Sequence, residues 1–173
     1  MIRIEPLQHR DAGTARRLHA VLVLAHAQEA ALLGVPPGTG PQRTTEELQR
    51  STDMHLGALL GDELLGAISV GPDDEPRQLC ITLLVVHPAH QRQGVGRALL
   101  AEVLRLGAGQ VFTVSTGAAN TPALALYEQF GFVAYRQGRM GPHALQMVKL
   151  RRERSEARPE QRAADSRPLE TPR

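Results

Sequence analysis

Apolar and polar residues change their period along this chain, and each change marks an element. Ile2 to Leu7 alternates between the two classes, the pattern of a half-buried strand. Behind Asp11, a candidate N-cap, Ala15, Leu18, Leu22 and Ala25 recur at helical spacing, and Gly34 supplies a C-terminal stop. The stretch Gly34 to Pro41 is too rich in Gly and Pro to be anything but a loop. Thr45 to Arg50 reads as a short helix capped by Thr44 or Thr45. Met54 to Leu60 and Glu63 to Val70 flank the two-residue turn Gly61-Asp62 and predict a hairpin.

After a polar loop, Gly71 to Arg77, the run Leu79 to Val86 is apolar on both sides, as a central strand covered on both faces should be. A loop, His87 to Gln93, leads into a helix from about Val95 to Leu106 that closes at Gly107. A strand at Val111 to Ser115, a short helix at Pro122 to Gln129, and a hairpin of Phe132 to Arg139 with Ala144 to Leu150 complete the pattern. From Arg151 the composition shifts to seven Arg and five acids with one Leu and no aromatic. That segment cannot bury enough apolar area to offset its ordering entropy, so residues 151–173 are expected to be a disordered tail behind one domain, 1–150.

Composition narrows the function classes. The 42% apolar and 22% charged residues of the 173 fit a single globular domain that needs no metal or disulfide. Aromatics are 3%, with no Trp, which argues against base stacking on single-stranded nucleic acid. The net charge of +2 gathers much of its basic excess in the tail, so no basic face for nucleic acid is expected. Only one Lys, Lys149, occurs among the 20 basic residues, which reads as coding bias. The lone Cys80 sits in an apolar run and reads as a small buried hydrophobe in a reducing compartment. The N-terminus lacks a signal peptide's apolar stretch, and Ala20 to Ala25 is too short to span a bilayer. A cytoplasmic protein without membrane contact is expected.

The chemistry lies in Leu84-Val-Val-His-Pro-Ala-His-Gln-Arg-Gln-Gly-Val-Gly-Arg-Ala-Leu-Leu100. A central strand ends in a glycine-bearing turn and a helix begins at once. Unpaired backbone N–H groups and the positive end of the helix then converge on one spot, and glycines let a ligand come close. A pyrophosphate is the natural occupant. A Walker A loop needs Gly-Lys-Ser/Thr where this chain has Gly96-Arg97-Ala98. A Rossmann fingerprint needs a third Gly where position 99 is Leu, and it belongs on the first strand. Gln/Arg-x-x-Gly-x-Gly/Ala fits without exception as Gln91-Arg92-Gln93-Gly94-Val95-Gly96. A glycine-rich turn with no ligand is the structural alternative.

These residues resemble the GNAT (Gcn5-related N-acetyltransferase) family, in which that pattern binds the pyrophosphate of CoA. Asn120-Thr-Pro-Ala123-Leu-Ala-Leu126-Tyr127-Glu-Gln-Phe-Gly131-Phe132 is similar to a second family segment, and the order of elements agrees over about residues 1–150. The resemblance implies an α/β fold with a mixed, mostly antiparallel sheet splayed between its fourth and fifth strands and flanked by helices. It also implies acetyl-CoA as co-substrate, no metal, and a small-molecule or peptide amine as acceptor. Gln91, Arg92, Gln93, Gly94, Val95 and Gly96 would offer amides to the pyrophosphate, with Arg92 or Arg97 adding charge. The edge of Leu84, Val85 and Val86 would bond the pantetheine amides, and Asn120 the pantetheine or a phosphate. Asn120 is equally placed to cap the helix that follows.

Tyr127 would protonate the departing thiolate, its alternative being a half-buried ring packed on the sheet. A main-chain N–H near Val86 is the candidate donor to the oxyanion. Many family members carry a Glu on the fourth strand as base, near this chain's Thr82, Leu83 and Leu84. The base is thereby left open among His55, His87 and a water chain. The runner-up function is a module of the same fold that binds acyl-CoA for regulation without catalysis. Acceptor identity and assembly, a homodimer included, are left open by the sequence.

Overall fold

The computed structural model describes residues 1–40 and 42–154. The charged tail expected from Arg151 falls, from residue 155 onward, outside the described residues. The elements run β1 (Arg3–Pro6), α1 (Ala12–Leu33), α2 (Thr45–Arg50), β2 (Met54–Leu60), β3 (Glu63–Pro72), β4 (Gln78–Val86), α3 (Val95–Leu106), β5 (Val111–Gly117), α4 (Thr121–Gln129), β6 (Val133–Met140) and β7 (Leu145–Arg152). Local chemistry sets the helix ends. Asp11 accepts the Thr14 N–H at 2.8 Å at the start of α1, and Gly34 ends it at φ 68°. Thr44 and Glu47 form a capping box on α2.

The strands form one seven-stranded sheet in the order β1-β2-β3-β4-β5-β7-β6. Every neighbouring pair is antiparallel except β4–β5, which is parallel. The mixed α/β fold expected from the sequence is present, with helices on both faces. Leu18, Val21, Leu22 and Ala25 of α1 and Leu48 of α2 cover one face through Leu59, Leu64, Leu83 and Val85. Val95, Leu99, Leu100 and Val103 of α3, with Tyr127 of α4, cover the other through Ile68, Ile81, Phe112 and Leu150.

Three elements run longer than their sequence pattern. β3 extends to Pro72, β5 to Gly117 and β7 to Arg152, whose pairing with Phe112 continues the ladder past 150. Polar residues at these ends hide strand structure because the ladder needs only backbone groups.

One irregularity decides how β4 works. Ser69 pairs with Leu83 and Val70 with Ile81, so Thr82 is an extra residue opposite none. Ile81 therefore packs on the α3 face while Leu83 and Val85 turn to the α1 face. Period two alone would have kept all three on one side.

Candidate active site

The turn between β4 and α3 has the shape the sequence predicts for an anion. Arg92 and Gly94 both lie in the left-handed region, at φ 60° and 83°. Gly94 is the N-cap of α3, and no side chain caps the helix there. The first helical bond runs from the Ala98 N–H to the Gly94 carbonyl at 2.9 Å, so the amides of Val95, Gly96 and Arg97 have no partner within the helix. A Cβ built on Gly94 would meet nothing within 4 Å, so open space faces this helix end.

Beside that turn, β4 and β5 part company. They pair only from Gln78–Val111 to Ile81–Val114; beyond Thr82, β4 is bonded to β3 alone and β5 to β7 alone. The His87 N–H donates to the Leu65 carbonyl at 2.8 Å. By the alternation of an antiparallel ladder, Val85 then bonds toward β3, while the amides of Leu84 and Val86 face the splay. Gly66, opposite Val86, lets the strands come together, since a Cβ there would lie 2.7 Å from the Val85 carbonyl oxygen.

A cavity of about 660 Å³ follows the turn and this free edge. Leu84, Val85, Val86, Gln91, Arg92, Gly94, Val95, Gly96, Arg97 and Asn120 all line it, as does Tyr127. Gln93 does not line it, and its side-chain amide donates to the Ala89 carbonyl at 3.4 Å. The guanidinium of Arg97 is tied to α4, 2.7 Å from Gln129 Oε1 and 5.1 Å from the Phe130 ring centre. Arg92 also lines the cavity and brings a second positive charge to it. Gln91 donates to the Val86 carbonyl at 3.3 Å and to Gln28 of α1, bracing the turn against the first helix. Asn120 caps α4, its Oδ1 accepting the Ala123 N–H at 3.3 Å, and its Nδ2 donates to Glu29 Oε1 at 3.4 Å.

A second cavity, about 530 Å³, opens on the α1 side of the same splay. Tyr127, Leu84, Asn120, Ala123 and Glu29 line both cavities, so Tyr127 stands where the two meet. Its ring is 4% exposed and packs edge-on against Phe132, with centroids 5.5 Å apart. Burial, with the charge of Glu29 and then of Cys80, pushes its phenol well above the usual tyrosine range. The phenol therefore stays protonated at neutral pH, and the same shift makes it a weaker acid.

The pattern of the sequence did not point to Glu29 or His26, yet both line the second cavity. Burial holds His26 below the usual histidine range; Glu29 opposes that shift and Arg43 adds to it. Thr82, one of the three residues near the family's Glu position, lines the same cavity and donates to Asp53 Oδ2 at 2.7 Å. The two sequence candidates for a base lie elsewhere. His55 is 2% exposed, stacked on His9 at 4.1 Å with Nδ1 against the Asp53 carbonyl, and His87 Nδ1 accepts the Ala89 N–H. Neither lines either cavity. Cys80 is half-buried, and burial raises its thiol, an environment that suits packing and not nucleophilic attack. Among the described residues no cluster of His, Cys, Asp and Glu could hold a metal ion, and no helix is long and apolar enough to cross a membrane.

Relatives agree with this geometry. The chain is 36% identical over 130 residues to the UPF0157 protein YqkA of Bacillus subtilis, covering 75% of this chain and 37% of that one. It is 34% identical over 94 residues to the N-alpha-acetyltransferase RimI of Mycobacterium tuberculosis, covering 53% and 60%. The chain thus spans less than two thirds of either relative. The fold matches the structure of yncA from Salmonella typhimurium with its cofactor acetyl-CoA, at TM-score 0.68 and 18% identity, over 91% of this chain and 96% of the other. The model of the acetyltransferase (GNAT) family matches residues 10–132, which take in β4, the uncapped start of α3 and Tyr127. The chain belongs to that family.

Proposed function

We propose that this protein is an acetyl-CoA-dependent N-acetyltransferase that moves the acetyl group directly to a primary amine. One observation carries the reading: two cavities, one along an uncapped helix start and a free strand edge, meet at a buried, protonated tyrosine. The residues fit the co-substrate. The amides of Val95, Gly96 and Arg97 would hold the pyrophosphate, with Arg92 adding charge. The edge at Leu84 and Val86 would take the pantetheine arm as an added strand. The thioester then lies at the junction, with the acceptor arriving from the second cavity.

In the reaction the amine nitrogen bonds to the acetyl carbon and the C–S bond breaks. The Val86 N–H, on the splayed edge, donates to the oxygen on which charge develops. The departing sulfur takes the phenolic proton of Tyr127, which bulk water restores. The nitrogen gives up its proton to water in the second cavity. Direct transfer fits a chain whose only thiol, the half-buried Cys80, lines neither cavity and is raised by burial.

A binding module without catalysis is favoured by Thr82, Leu83 and Leu84 lying near where many family members carry a Glu. Such a module has no use for a second cavity at Tyr127, so catalysis is the stronger reading. Its test is incubation with acetyl-CoA and a panel of amines and amino-terminal peptides, reading free CoA thiol and mass gain together. Amine-dependent thiol release matched by one added acetyl is expected. Tight acetyl-CoA binding with no amine-dependent release would establish the binding module instead.

A further inference from the structure

The second cavity carries its own selectivity. Its walls are mainly apolar, with Leu33 and Val35 at and just past the end of α1, Val114 of β5, Met140 at the hairpin tip and Met147 of β7, while Thr39, Thr82, Ser115 and Thr116 add hydroxyls but no charge. Its lining holds two ionisable side chains besides Tyr127, and both are on α1: His26 and Glu29, three residues apart and so on one helix face. Glu29 is half-buried and also borders the first cavity, next to Tyr127 and Asn120. The amide of Asn120 donates to its Oε1, which leaves Oε2 without a partner among the described residues. No Lys or Arg is among the described residues that line this cavity.

Resting on the proposed acetyl transfer, we infer that Glu29 receives the ammonium of the acceptor and that the apolar walls take its body, so the substrate is a monoamine on an apolar scaffold. The chemistry follows from the charge count and the walls. A half-buried carboxylate pairs with one cation more strongly than an exposed one, because water screens it less. A polyamine or an aminoglycoside carries several ammonium groups that would each need an acid, and Glu29 is the one carboxylate among the described residues that line the cavity. A body the size of an arylalkylamine fits within about 530 Å³ and gains by leaving water. The same chemistry is presented by a free arylalkylamine and by a peptide whose first residue is apolar. The position of Glu29 at the join of the cavities sets the nitrogen beside the thioester, where the ammonium gives one proton to water before the free amine attacks.

The experiment measures initial rates at saturating acetyl-CoA with phenethylamine, spermidine, kanamycin and two short peptides, one beginning with Leu and one with Asp. It compares the full chain with its Glu29→Gln variant, and acetyl-CoA affinity is followed by calorimetry. Phenethylamine or the Leu peptide should exceed spermidine, kanamycin and the Asp peptide in kcat/KM by at least about tenfold, and whichever of the two leads identifies the source of the amine. Glu29→Gln keeps the shape and removes the charge, so KM for that amine should rise about tenfold or more while acetyl-CoA affinity stays within about twofold. Preference for spermidine or kanamycin, or an unchanged amine KM in the variant, overturns the inference and leaves the acetyl transfer standing. Acetyl-CoA binding with no amine acetylated removes both.

Discussion

Tyr127→Phe removes one hydroxyl and nothing else from the junction of the two cavities. The ring keeps its edge-on contact with Phe132 at 5.5 Å, and α4 keeps its Asn120 cap. Stability should therefore change by no more than about 1 kcal/mol, the usual net worth of a hydroxyl's hydrogen bonds. Chemistry should change far more. Without a donor the sulfur must leave as a bare thiolate, and a lost general acid costs about 10²-fold in kcat, or about 2.7 kcal/mol of barrier. Because burial pushes the phenol upward, the wild-type rate should show no loss from Tyr127 deprotonation as pH rises toward the ordinary tyrosine value, about 10. The assay is continuous thiol detection at saturating acetyl-CoA and amine, with calorimetry to confirm unchanged acetyl-CoA affinity. A thioester with a more acidic thiol should lose less in the variant, since its sulfur needs less protonation. A folded Phe variant turning over at the wild-type rate with every accepted amine would refute the acid role and return Tyr127 to a packing residue.

Two further changes probe the frame around the site. Gly66→Ala would place its Cβ 2.7 Å from the Val85 carbonyl oxygen and 3.3 Å from Val86 Cα, so β4 must shift. Thermal melts should show a loss of about 1–3 kcal/mol, and acetyl-CoA affinity should fall because the displaced edge is the one proposed to take the pantetheine arm. Asp73 is 4% exposed and accepts from Lys149 at 2.9 Å and Thr113 at 3.0 Å, so Asp73→Ala strands a largely buried charge at a cost of roughly 3 kcal/mol. Burial alone would raise the Asp73 carboxyl, but the Lys149, Thr113 and Asp74 hydrogen bonds outweigh it and hold it low. Its contribution is then complete above the unfolded carboxyl's value, about pH 4, and fades as pH falls below that. Melting curves of wild type and variant should differ at neutral pH and converge in acid; a gap that persists there would show the pairing to be mis-assigned.

The parts of the site built from contiguous chain were legible in the sequence. Gly94 and Gly96 before an apolar helix stripe announced an open helix start, and Asn120 with Tyr127 marked α4. What stayed hidden depends on strands meeting. The bulge at Thr82 comes from a register shift against Ser69 and Val70, which no local pattern records, and it turns Leu83 and Val85 toward α1. Glu29 and His26 look like a solvated flank of α1 because its core stripe runs through Leu18, Leu22 and Ala25. Only the splay of β4 from β5 turns that flank into a cavity wall. A helix continuing to Leu33, past its last regular core contact, was the available signal. Lys149, which composition made look incidental, is half of the buried pair with Asp73, and strand alternation between Val148 and Leu150 set it on that face.

The proposed acetyl transfer requires the uncapped start of α3 to hold the pyrophosphate of acetyl-CoA, and Gly94→Glu tests that most directly. A side chain at φ 83° costs about 1–2 kcal/mol of strain but meets no atom within 4 Å, so the variant should still fold. Its carboxylate would occupy and repel the anion site. Calorimetry, with circular dichroism to verify the fold, should show wild-type binding of acetyl-CoA and a loss of about tenfold or more in the variant. Equal affinity in a folded Gly94→Glu protein would contradict the assignment.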